Sequence, residues 1–129
     1  MRPAFSSPPA PAGYSHAVAM PPGSLVWTSG QVGIDADGIV PPDLEGQTRV
    51  VFANLTTALE SVGATWHDVV KLTWFVTSVD DLPAVRAVRD EFVNTDAPPT
   101  SSLIQVAGLF LPGLLVEVEA VAWIPTPSA

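Results

Sequence analysis

The sequence predicts an α+β domain in which two helices lie on one face of a single sheet, in the order ββαβαββ. Three observations carry this. Two segments repeat apolar residues at the three- and four-residue spacing of a helix with one buried face. The remaining apolar segments are runs of β-branched and aromatic residues bounded by Pro, Gly, Asp and Ser, which read as strands. The chain has 129 residues and is 47% hydrophobic, enough for one core and too short for a comfortable second domain.

Residues 1–12 are rich in Pro, Ser and Ala and read as a flexible N-terminal arm; 13–126 form the domain and 127–129 a tail. The first strand is expected over Tyr14–Met20. Pro21-Pro22-Gly23-Ser24 then breaks the chain, and Leu25–Val32 is a second strand, so the pair suggests a hairpin. Asp35-Ala36-Asp37-Gly38 is a turn. A helix follows from Leu44 to Val62, with Val51, Leu55, Ala58, Leu59 and Val62 on its inner face and Gly63 at its C-cap. The third strand is Val69–Val76. The second helix opens at Val79-Asp80-Asp81-Leu82-Pro83, where Asp suits the cap and Pro the first turn, and Val85, Val88, Phe92 and Val93 mark its inner face. Thr95 to Pro99 ends it. Strands over Ser101–Val106 and Leu114–Ile124 complete the order. Each helix has one apolar stripe, so both cover the same sheet face, and the opposite face calls for a second copy of the chain.

Charge and composition exclude several function classes. Five Lys plus Arg stand against 13 Asp plus Glu, a formal net charge of -8, so phosphate backbones and anionic membrane surfaces are repelled and neither nucleic acid nor membrane is an expected partner. Without cysteine there is no thiol nucleophile, disulfide or thiolate metal site. Two separated histidines, His16 and His67, do not make a metal centre either; no metal and no cofactor are expected. No apolar run approaches the roughly 20 residues of a membrane span, and Met1–Ala12 lacks the apolar stretch of a signal peptide, so a cytoplasmic protein is expected.

A series of short motifs runs through the chain in order: Gly13-Tyr14, Thr28-Ser29-Gly30-Gln31, Gln47, Asn54, Gly63, Asp68-Val69-Val70-Lys71, Phe75-Val76, Pro99, and Val116 to Ala122. On these residues, over about 12–125, the sequence resembles the YjgF/RidA family. The resemblance implies a chorismate-mutase-like fold, a homotrimer, and small-molecule sites in the clefts between subunits. It also implies hydrolysis of reactive enamines or imines to ammonia and a keto acid. A non-catalytic, ligand-binding or regulatory trimer of the same fold is the alternative.

The same resemblance nominates site residues. Glu119 matches the acidic residue that positions the hydrolytic water; taken alone it is an ordinary strand carboxylate, sharing a sheet face with Glu117 by parity. Tyr14 would lend its hydroxyl or ring to the substrate, and Ser29 and Gly30 would line the cleft. Family members that hydrolyse imines carry an arginine just after the fourth strand's proline, where it clamps the substrate carboxylate. Here Pro99-Thr100-Ser101-Ser102 puts Ser101 at that position. Serine cannot supply a charged bidentate fork, so a substrate other than the usual carboxylate-bearing one is expected, with Ser101 and Ser102 offering hydroxyls instead. Arg86 and Arg89 on the second helix either solvate it or reach a neighbouring subunit's cleft in place of the clamp. His16 shares the parity of Tyr14 and is more simply a structural residue, and Lys71 is an expected ion-pair partner.

Overall fold

The long first helix forms where expected, and its ends show why. In the computed structural model, which describes residues 10–127, α1 spans Leu44–Ser61. Asp43 caps it by accepting from the Gly46 N–H. At the other end Gly63 has φ +81°. Its N–H bonds Glu60 O at 3.1 Å, and the Ala64 N–H bonds Leu59 O at 2.9 Å. These are the paired bonds of a Schellman motif, which needs a left-handed residue at this position. The second helix, α2, is Leu82–Asp90, shorter than expected because the chain turns at Glu91–Phe92. Phe92 and Val93 still reach the core from that turn.

The strands are β1 (Gly23–Trp27), β2 (Gln31–Val32), β3 (Val69–Val76), β4 (Thr100–Gln105) and β5 (Val116–Pro125). The sheet order is β1-β5-β3-β4, with β2 also paired to β5. Only β3 and β4 run parallel, joined through α2; the β5 pairings are antiparallel. Two expectations for the N-terminal part are corrected. Tyr14–Met20 is not a strand: among the described residues its ladder-like bond is Ser15 N–H to Pro99 O, and the prolines that follow prevent a tight hairpin. The strand expected over Leu25–Val32 is interrupted, with β1 and β2 as its two halves, both on β5. The expected arm falls outside the described residues for 1–9, and so does the expected tail for 128–129.

Alternation along the strands sorts the sheet into two faces. Leu72, Trp74 and Val76 of β3 and Val116, Val118, Ala120 and Ala122 of β5 are buried beneath Val51, Phe52, Leu55 and Leu59 of α1 and Val85 of α2. Phe52 lies within 5.1–5.4 Å of the rings of Trp66, Trp74 and Phe92. The opposite face carries Leu25, Trp27, Phe75, Ile104, Val121 and Trp123, with no layer over it among the described residues. Leu25 and Trp27 are 58% and 70% exposed there. Gln47, fully buried at the start of α1, donates to Pro41 O at 2.9 Å and Gly113 O at 2.8 Å and accepts from Leu115 N at 2.8 Å.

Candidate active site

The nominated residues fall into two groups separated by the sheet. The first surrounds a cavity of about 230 Å³ beside the β4 edge, lined by Tyr14, Trp74, Arg86, Arg89, Ser101 and Leu103 among others. Register explains why Ser101 is there. It pairs with Leu72 and Leu103 pairs with Trp74, so these β4 residues point to the helix side, towards α2. Tyr14 is held close by its neighbour: the Ser15 N–H and hydroxyl donate to Pro99 O and Pro98 O, tying the segment before β1 to the entrance of β4. The rings of Tyr14 and His16 meet edge to face at 5.4 Å, although no strand parity aligns them.

Helix geometry brings two arginines to the same cavity. Val85 and Val88 turn inward, and Arg89, four residues after Val85, follows them to 8% exposure. Arg86 lies three residues before Arg89, so the two cations are helix-surface neighbours, a mildly destabilising pair. Arg89 Nε donates to Asp90 Oδ1 at 2.9 Å. The guanidinium packs on the backbone of Gly13, whose φ is +77°; a Cβ at Gly13 would stand 2.0 Å from Arg89 Nη2. Gly13 is therefore needed for its backbone conformation and for the arginine's space.

The second group lies on the uncovered face. Thr28 bonds both ways with Ala120, its N–H to Ala120 O at 3.0 Å and its hydroxyl receiving the Ala120 N–H at 3.0 Å. Gln31 pairs with Val118. Ser29 and Gly30 thus stand together opposite Glu119 alone, which is a β-bulge. A Cβ at Gly30 would come 2.0 Å from Glu117 Oε1, so the glycine leaves room for that carboxylate. Glu119 pairs in register with Thr73 on β3, and Thr73 with Ser102 on β4. Lys71 is corrected here: it donates to the Ser102 hydroxyl at 3.2 Å and makes no ion pair among the described residues.

Within one chain the structure therefore joins Tyr14, Arg86 and Ser101, and separately Glu119, Ser29, Gly30 and Ser102. It does not join the two groups. Ser101 and Ser102, adjacent in sequence, point to opposite faces. Arg89, named with Arg86 from the sequence, and Trp74 complete the first group; nothing set Trp74 apart from a core strand residue. Arg49, by contrast, is engaged elsewhere, bonded to Glu91 at 2.8 Å and Glu45 at 3.4 Å. Those partners, Glu91 first, raise its pKa above the ordinary value. Among the described residues no cluster of His, Asp and Glu has the makings of a metal site, and no helix is long and apolar enough to cross a membrane.

Comparison with known proteins places this geometry in context. The sequence profile of a family described as Endoribonuclease L-PSP matches residues 5–124. The RutC family protein slr0709 of Synechocystis is 33% identical over 122 residues, covering 92% of each chain. The Escherichia coli protein named "Putative reactive intermediate deaminase TdcF" is 32% identical over 103 residues, covering 78% of this chain and 79% of its own. Its crystal structure with bound serine superposes with a TM-score of 0.71 at 31% identity, covering 82% of this chain and 91% of that one. The conserved Rid-family protein YyfB of Yersinia pestis superposes with a TM-score of 0.79 at 39% identity, covering 87% of each chain.

Proposed function

The chain belongs to the YjgF/RidA family, that of the Endoribonuclease L-PSP profile, and from this premise we propose that it is a cofactor-free hydrolase of a small imine or enamine. The observation that carries the reading is the placement of Glu119. It stands in an uncovered, largely apolar sheet face, opposite the Ser29–Gly30 bulge, without a cationic partner among the described residues. A carboxylate so placed becomes a useful base once a neighbouring subunit covers it and excludes bulk water.

The chemistry needs only water. The water oxygen bonds to the iminium carbon while Glu119 accepts its proton. Glu119 returns the proton to the nitrogen, the C–N bond of the carbinolamine breaks, and ammonia leaves as the hydroxyl proton passes to Glu119 and the carbonyl forms; the ammonia then takes that proton away as ammonium, which restores the carboxylate. Tyr14, Ser101 and Arg86 hold the substrate, and Ser29, Gly30 and Ser102 line the wall that Glu119 belongs to. Because these groups sit on opposite faces of one chain, the complete site is assembled between copies in a homotrimer, in the cytoplasm. The position of Ser101 supports a substrate anchored differently from the usual carboxylate-bearing imines. The test is ammonia release from a panel of freshly generated imines, with wild-type protein and Glu119→Gln. Turnover that falls by about 10²–10⁴ in the variant is expected for a general base; equal turnover in both, or none from any imine, overturns the reading.

A further inference from the structure

The cavity beside Ser101 holds two arginines, and the proton transfers of the hydrolytic step use neither. The described residues contain three arginines, and Arg86 and Arg89 are the two that line one cavity. The cavity lining contains no carboxylate. Asp90 takes the Nε edge of Arg89, which leaves its two Nη groups for another acceptor; among the described residues they make no hydrogen bond. Arg86, one helical turn away, makes no ion pair among the described residues. In a chain of net charge -8, two cations side by side on a helix face, one of them buried, make sense if an anion belongs between them.

We infer that Arg86 and Arg89 form an anion anchor on α2 that holds the carboxylate of a small imine or enamine from the helix side of the cavity. The substrate class that follows is carboxylate-bearing after all, with its anion displaced from the β4 side, where Ser101 stands, towards α2. Tyr14 and Trp74 supply the ring surfaces that line the rest of the cavity, and its volume suits a molecule of amino-acid size. The planar forks of the two guanidinium groups fit a carboxylate's two oxygens better than ammonium groups would. This inference rests on the hydrolase reading for the imine half of the substrate, and on geometry alone for the anion.

Calorimetric titration of the intact protein with 2-oxobutyrate, its neutral amide and inorganic phosphate separates the two. Wild type is expected to bind the acid about tenfold or more tightly than the amide, the worth of one charge-assisted bond. Arg86→Gln, at an exposed position, and Arg89→Lys, which keeps charge but loses the fork, are each expected to lose about that factor for the acid and nothing for the amide. Equal binding of acid and amide by wild type, or unchanged acid binding in both variants with native circular dichroism, overturns the anchor. Tighter binding of phosphate than of the acid overturns the carboxylate assignment. If the arginines govern acid binding but no imine is hydrolysed, the hydrolase reading falls and the anchor stands. If acid and amide imines are hydrolysed with equal kcat/KM, the anchor falls and the hydrolase reading stands.

Discussion

Single side chains carry opposite lessons at positions 101 and 89. The absence of arginine at 101 is legible in the sequence, and so are Arg86 and Arg89 as candidates to replace it, but that both line the cavity of Ser101 in their own chain is visible only after β4 and α2 have packed. Gly13 was legible only as part of a resemblance; its reason, the contact with the Arg89 guanidinium, is a tertiary fact. If Arg86 does hold an anion, a guanidinium placed across the cavity should replace it. Ser101→Arg in the Arg86→Gln background is therefore expected to recover most of the roughly tenfold acid affinity lost by the single variant. Titration with 2-oxobutyrate checks this, and a double variant no better than Arg86→Gln would mean the two positions do not serve one ligand. Placed instead in the wild type, the same arginine adds a third cation to the cavity and should tighten the acid further while leaving the neutral amide unchanged.

Whole elements were readable where local chemistry and burial agree. α1 has a caps-and-stripe sequence and β3 a bounded β-branched run, and both lie within a residue of expectation. The N-terminal part was not readable, for a physical reason: Tyr14–Met20 alternates weakly, and what fixes it is a pair of bonds from Ser15 to the chain at Pro98 and Pro99. The interruption between β1 and β2 was hidden too, because a bulge depends on the partner strand's register. Two substitutions probe the elements that hold the site. Gly63→Ala meets no atom within 4 Å, so its cost is purely conformational. About 1–2 kcal/mol is expected from urea unfolding. Gln47→Leu leaves two carbonyls and an N–H buried without their partner and should cost more, about 2–4 kcal/mol. A smaller loss for Gln47→Leu than for Gly63→Ala would contradict this account of the loop before β5.

For the whole molecule the issue is how a carboxylate on one sheet face can serve a cavity on the other. Leu25, Trp27, Phe75, Ile104, Val121 and Trp123 form an apolar face that a small domain does not leave in water, and Trp123 Nε1 is buried there without a hydrogen-bond partner. In the proposed trimer, a copy seated on that face covers Glu119 and brings its own cavity to it. Light scattering is expected to give three chains of 13.5 kDa, and Trp27→Glu, which puts a charge into the face, should lower the mass and abolish turnover together. Mixing gives the sharper test. Glu119→Gln lacks the base and Arg86→Glu reverses the charge of one half of the anchor, so at substrate concentrations well below KM each homotrimer is expected to keep only a small fraction of wild-type activity. Unfolded together and refolded at equal concentrations, they form mixed trimers. A site that takes its base from one chain and its anchor from the next is intact when both happen to be unmutated. Random assembly makes that true of about one site in four, so about a quarter of wild-type activity should return. A site contained within one chain would recover nothing, because every chain in the mixture carries one defect.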